Sequence, residues 1–115
     1  MIVSTTTSDL LRKHGVDGAI RLIAEAGFDA YDYSFCSLPK DDPFFTDSYM
    51  DRAKELKALS KECGITCNQA HAPFPSSIGD PEKDEEIFNN IVKSMEFAAH
   101  LGAPVIIVHP KQHLC

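Results

Sequence analysis

The fold of this chain is decided by one stretch near its C-terminus, HLGAPVIIVHP, which spans residues 100–110. Gly102 stands there between the end of a helical apolar pattern and a run of four β-branched residues, Val105-Ile106-Ile107-Val108. Glycine is the usual residue just past a helix because it enters the left-handed conformation without a Cβ penalty. A continuous β-branched run is typical of a parallel strand covered on both faces. The stretch therefore predicts a helix that leads directly into a parallel strand.

The same outline occurs twice more, around Gly27 and Gly64. The three glycines are spaced 64 − 27 = 37 and 102 − 64 = 38 residues apart. A repeat of this length with one helix and one strand is typical of a β/α unit. We predict strands at residues 1–4, 30–34, 65–68 (running towards His71) and 105–109, with helical stripes at 16–24, 50–63 and 87–99. The sequence thus predicts one α/β domain over residues 1–115, a β-α-β-α-β-α-β unit with a parallel sheet.

The charge, apolar content and cysteine usage of the chain argue against several classes of function. The chain has 115 residues and 11 Lys+Arg against 17 Asp+Glu, a formal net charge of −6. An acidic chain without a basic run argues against nucleic acid or an anionic membrane as a partner. The sequence contains no apolar span of about 20 residues and no secretory leader, so we expect a cytoplasmic protein. Its four cysteines form no C-x-x-C pair and are expected to be free, buried thiols.

Two histidines fall at the same step from their glycines. Counting seven residues from Gly64 and from Gly102 reaches His71 and His109, and each is followed closely by a proline that ends the strand. Neighbouring strands lie about 4.8 Å apart, so both imidazoles are expected to converge on one cation or one anionic substrate group at the C-terminal edge of the sheet. A single histidine at a strand end is more often a hydrogen-bonded structural residue, but the matched spacing favours function.

Further candidates are expected at the same edge. The equivalent step from Gly27 reaches Ser34, and Asp32 is the nearest carboxylate. Asp32 could equally cap backbone amides. His113 either joins the edge or belongs to a frayed terminus.

Several of these segments carry a family resemblance: residues 26–30 (AGFDA), residues 71–74 (HAPF) and residues 101–110 (LGAPVIIVHP). They resemble the first four strands of the xylose-isomerase-like TIM-barrel superfamily, which includes sugar phosphate isomerases and epimerases and the apurinic-site endonucleases. The resemblance implies an eight-stranded (β/α) barrel with a divalent metal, zinc, manganese or magnesium, at its C-terminal rim. In the endonuclease branch the histidines matching His71 and His109 are zinc ligands. In the isomerase branch the equivalent positions more often line the substrate pocket.

On this resemblance we expect His71 and His109 to bind metal, and Asp32, Ser34 and His113 to contact substrate. The implied reaction is metal-assisted proton transfer next to the carbonyl of a small sugar-type substrate, and the acidic charge favours it over an endonuclease. The family's later metal ligands, from its fifth to eighth strands, have no counterpart in this chain.

Length leaves three alternatives open. A complete barrel takes about 250 residues, so 115 residues correspond to about half of one. In the first, the chain is the N-terminal half of an isomerase and is incomplete alone. In the second, a second copy completes the half-barrel, and the resulting homodimer binds metal. In the third, the chain is a binding domain with an open flavodoxin-like sheet.

Overall fold

A computed structural model describes residues 1–110 and contains four parallel strands and three long helices. In chain order these elements are β1 (Ser4–Thr6), α1 (Ser8–Glu25), β2 (Ala30–Ser34), α2 (Tyr49–Cys63), β3 (Thr66–His71), α3 (Pro81–Leu101) and β4 (Ile106–Ile107). The long connection between β2 and α2 contains two short 3₁₀ turns, Phe35–Ser37 and Pro43–Phe45. None of the helices within residues 1–110 is both long and apolar enough to cross a bilayer.

The strands follow one another across the sheet in the order β1-β2-β3-β4, and every pair is parallel. Right-handed crossovers that always step in the same direction put all helices on one face of the sheet, as in a barrel. A flavodoxin-like sheet would instead reverse its strand order at a switch point. The half-barrel prediction is therefore confirmed, and the flavodoxin-like alternative is wrong.

The ends of α2 and α3 follow local chemistry that the sequence contains. Gly64 and Gly102 cap the two helices in the left-handed conformation, at φ of 71° and 95°. At the start of α3 the Asp80 carboxylate accepts hydrogen bonds from the backbone N–H groups of Glu82 and Lys83. These caps satisfy amide and carbonyl groups that a helix leaves unpaired at its ends.

An aromatic cluster joins the sheet to the helices. Tyr33 of β2, Phe35, Phe44 and Phe97 of α3 are all at most 2% exposed, and their ring centroids lie 4.8–5.8 Å apart. Two residues before Tyr33, the Tyr31 hydroxyl lies 2.7 Å from Ser60 Oγ of α2. Because side chains alternate along a strand, Asp32, the residue between these tyrosines, lies on the opposite face, which is the inner face of a barrel.

Both outer strands differ from their predicted bounds. The first strand begins at Ser4, and the predicted residues Met1, Ile2 and Val3 are exposed. The last has only two paired residues, and Val105 and Val108 are 51% and 39% exposed. Longer strands were predicted at both ends of the sheet, and the run at 105–108 was expected to be covered on both faces. Within residues 1–110, however, each of these two strands pairs on one side only.

The first helix and one cysteine also differ from prediction. Helix α1 begins at Ser8, well before the predicted stripe, with a break at Gly15, whose φ of 68° and ψ of 176° are not helical. Cys67 is buried and Cys63 half-buried, but Cys36 is exposed. The turn after β2 directs Phe35 into the core and leaves its neighbour outside. All three thiols are free, and Cys115 lies outside the described residues.

Candidate metal and substrate site

Three polar side chains meet at the C-terminal ends of β2 and β3. His71 Nδ1 lies 2.9 Å from Asp32 Oδ2 and 3.0 Å from Oδ1 of the same carboxylate. Gln69 Nε2 donates a hydrogen bond to Asp32 Oδ2 at 2.7 Å. The Asp32 side chain is only 12% exposed, whereas the His71 side chain is 30% exposed. The imidazole thus lies at the surface of the inner face, on a carboxylate that is almost buried.

A β-bulge puts Gln69 and His71 on that face. Tyr31 pairs with Cys67, but the next residue, Asp32, pairs with Gln69, so Asn68 is the extra residue on β3. Without it the strand's alternation would put Cys67 on the same face as Gln69 and His71. The bulge lets Cys67 stay buried while both polar side chains face Asp32, and bulges are frequent beside active sites for this reason.

His109 stacks beside His71. The two ring centroids lie 5.9 Å apart with an angle of 26° between the ring planes. Phe74, which is 51% exposed, places its ring edge-on to His109 at 5.4 Å. The two predicted histidines are therefore neighbours at the edge of the sheet where the strands end.

Their positions along the sheet are not equivalent, however. His71 pairs with Ile107, the last residue of β4, so His109 lies two residues beyond the end of that strand. Equal spacing from the glycines predicted equal height, but the β3–β2 pairing starts two residues after Gly64, whereas the β4–β3 pairing starts four residues after Gly102. The rings still meet because His109 follows directly on the strand beside β3.

A chain of hydroxyl groups extends from this site to a cavity. Ser34 pairs with His71 across the ladder and is 5% exposed. Its Oγ lies 3.2 Å from Ser37 Oγ, which lies 2.7 Å from Ser8 Oγ. A cavity of about 540 Å³ opens here, lined by Ser8, Asp9, Arg12, Cys36 and Ser37. Its volume falls within the range of about 300–1,000 Å³ that is typical of small-molecule sites, and its lining offers polar and charged groups.

The thiol in this cavity is not a nucleophile in its resting form. Cys36 is exposed as a residue, but its thiol is partly shielded from water, and this partial burial raises the pKa of Cys36, with a further contribution from the Asp32 carboxylate. Its Sγ donates a hydrogen bond to the Ala72 carbonyl at 2.9 Å. The thiolate is the reactive form of cysteine, so at neutral pH this residue serves as a hydrogen-bond donor between the two loops.

The donor set partly fits the divalent metal that the family implies. Two imidazoles are suitable ligands for zinc, and a carboxylate on the second nitrogen of a ligating histidine is the usual supporting contact. Within residues 1–110, however, no three His, Cys, Asp or Glu side chains are grouped so that they could hold a metal ion. His71 and His109 would therefore supply only two ligands of the set that a catalytic zinc needs, since such a zinc takes about three ligands from protein.

Not every site residue was predicted. Asp32, Ser34, His71 and His109 come together as described, and His113 lies outside the described residues. Gln69 was missed, although its position two residues before His71 would place it on the same face of a regular strand. The bulge itself has no sequence signal that a single chain reveals.

The sheet order and the polar residues at its C-terminal edge define the class: this is part of a (β/α) barrel with a candidate site at the rim, where barrels of this type carry their chemistry. The family described as xylose isomerase-like TIM barrel matches residues 20–115, and the chain belongs to this family.

Solved structures share the fold. The apo 3-keto-D-glucoside 4-epimerase of E. coli is 22% identical with a TM-score of 0.64, over 94% of this chain and 38% of that chain. A family 2 AP endonuclease from Brucella melitensis is 18% identical with a TM-score of 0.62, and the match covers 94% of this chain and 40% of that chain. A xylose isomerase domain protein from Planctomyces limnophilus is 16% identical with a TM-score of 0.62, and the match covers 97% of this chain and 40% of that chain.

The chain thus spans about two fifths of the length of these structures. No curated protein matches the sequence.

Proposed function

We propose that this chain forms part of a sugar isomerase or epimerase, whose rim binds a divalent metal and a small polar sugar-type substrate, free or phosphorylated. The observation that carries the proposal is the Asp32–His71 pair stacked beside His109 at the barrel rim. Membership of the xylose isomerase-like family supports it, as does the polar cavity next to Ser34.

The residues of this chain serve to bind and orient. His71 and His109 would hold zinc, manganese or magnesium, or hydroxyl groups of the substrate. The metal, when bound, would polarise substrate oxygens and so acidify the C–H next to the carbonyl. Ser34 and the hydroxyl-lined cavity would take the sugar hydroxyls, and Arg12 is the cationic side chain available to an anionic group. We do not assign the transfer of the proton to any residue within 1–110.

A second copy is our proposal for what completes the site. Both outer strands, β1 and β4, are paired on one side only within residues 1–110. Two copies that joined these strands would supply eight strands and a second pair of rim imidazoles. The alternative is a C-terminal half-barrel on another segment. The mass in solution, measured by light scattering, distinguishes the two because only the first requires a dimer of this chain.

The net charge of the chain bears on its partners, and its thiols bear on the cellular compartment. A net charge of −6 disfavours DNA, because affinity for phosphates is built from Lys and Arg contacts. The free thiols of Cys36, Cys63 and Cys67 favour a reducing compartment, and we place the protein in the cytoplasm.

Sugar binding tests the proposed function. The protein is incubated with Zn²⁺, Mn²⁺ or Mg²⁺ and a panel of free and phosphorylated pentoses and hexoses, and saturation-transfer difference NMR follows the protons of each sugar. We expect binding of at least one sugar, and loss of that binding in His71→Ala. Binding of none of them contradicts the proposal, and metal-dependent binding of DNA that contains an abasic site would favour the endonuclease alternative instead.

A further inference from the structure

We propose that Asp32 and Gln69 are positioning residues that hold His71 in a single tautomer, with the proton on Nδ1 and the lone pair on Nε2. This inference rests on the proposed function for its purpose, because Nε2 is the atom that would meet a metal or a substrate hydroxyl. The tautomer itself is a property of the protein without either ligand.

The first step is the geometry of the Asp32 carboxylate. Both of its oxygens lie within 3.0 Å of His71 Nδ1. A carboxylate accepts hydrogen bonds and does not donate them, so Nδ1 must carry the proton. In the neutral ring Nε2 then keeps its lone pair and becomes the only acceptor or ligand nitrogen.

The second step is what holds the carboxylate. Asp32 is 8% exposed, so water can reach it only slightly. Gln69 Nε2 donates to its Oδ2 at 2.7 Å, the same oxygen that lies closer to His71. Gln69 stands directly opposite Asp32 in the ladder, and His71 stands two residues beyond it. Gln69 and His71, which both stand on β3, thus share Oδ2 of the Asp32 carboxylate.

The third step is the bulge. Because Asn68 is the extra residue on β3, Gln69 and His71 share the inner face while Cys67 remains buried at 2% exposure. The strand therefore presents one donor to fix the carboxylate and one imidazole to be fixed by it. A positioning contact of this kind typically contributes a factor of about 10–100 to metal affinity.

Nitrogen NMR of the imidazoles tests the tautomer. In metal-free protein labelled with ¹⁵N-histidine, long-range proton–nitrogen spectra distinguish a protonated from an unprotonated ring nitrogen, and a pH series identifies the neutral ring in which the tautomer is assigned. We expect His71 to be protonated on Nδ1. In Asp32→Ala the ring should sample both tautomers, whereas the matched control Asp29→Ala removes a carboxylate that contacts the Val3 amide instead and should leave the spectrum of His71 unchanged.

Zinc titration adds a second readout. We expect the dissociation constant for Zn²⁺ to rise about 10–100-fold in Asp32→Ala and by a smaller factor in Gln69→Leu. A His71 ring protonated on Nε2 in the wild-type spectrum overturns the inference even if a variant fails to fold. An unchanged affinity in folded Gln69→Leu overturns the part assigned to Gln69. If the wild type shows the expected tautomer but binds no zinc, the positioning of His71 stands and the proposed metal site fails.

Discussion

Truncation of Phe97 tests whether the aromatic cluster holds the sheet to α3. Phe97 is completely buried, and its ring centroid lies 5.3 Å from Phe35, 5.4 Å from Tyr33 and 5.8 Å from Phe44. Its removal loses the transfer free energy of a buried aromatic side chain and leaves a cavity among three rings that cannot collapse together. The expected cost is about 3–5 kcal/mol for Phe97→Ala.

This loss is large enough to measure by urea denaturation followed by far-UV circular dichroism. With a slope of about 2 kcal/mol per molar urea, the unfolding midpoint should fall by roughly 1.5–2.5 M. The matched control is Phe88→Ala on the same helix, where the ring is 63% exposed and the expected change in the free energy of unfolding is within about 0.5 kcal/mol. Equal midpoint shifts in the two variants, at the same protein concentration, would refute the assignment of the cluster as the core.

Three further outcomes are expected. Ser60 Oγ donates a hydrogen bond to the Leu56 carbonyl, so Tyr31 is the donor in its contact with Ser60. Tyr31→Phe should therefore lower the free energy of unfolding, measured with urea, by about 1 kcal/mol. Ser60→Ala should lower it by about 1–3 kcal/mol, because it leaves the buried Tyr31 hydroxyl unpaired. Burial raises the pKa of Cys67 from 9.0 to about 12. The unfolded chain therefore loses this proton at lower pH than the folded protein, so the free energy of unfolding should be retained below pH 9 and decline as the pH rises to 12. Cys67→Ala should reduce this decline. Asp80→Ala removes the N-cap of α3 and should lower the free energy of unfolding by about 1 kcal/mol, whereas an unchanged thermal midpoint would contradict the capping role.

The sequence predicts the middle of this fold better than its edges. Helix α2 and strand β2 lie close to where apolar spacing puts them, and α2 and α3 end where predicted because Gly64 and Gly102 act locally. The outer strands are shorter than predicted, since the length of a strand depends on what pairs with it and not on its own β-branched residues.

Most residues of the candidate site could be predicted from the sequence, but Gln69 and the geometry of the site could not. Equal spacing drew attention to His71 and His109, and the strand ends placed Asp32 and Ser34 nearby. The bulge at Asn68 and the offset between the two histidines depend on how β3 pairs with its neighbours. Such register changes arise from tertiary pairing and leave no periodic signal in one sequence.

Zinc binding measured by isothermal titration calorimetry tests the central claim, a metal site at the rim, most directly. The wild type, His71→Ala and His109→Ala are compared with His100→Ala, which removes an imidazole from the last turn of α3, at the end of the helix that leads into β4. We predict that the wild type and His100→Ala bind Zn²⁺ with the same affinity and that each rim variant binds at least about 10-fold more weakly. Absence of zinc binding by the wild type, or equal affinity in all four proteins, would contradict a metal site formed by His71 and His109.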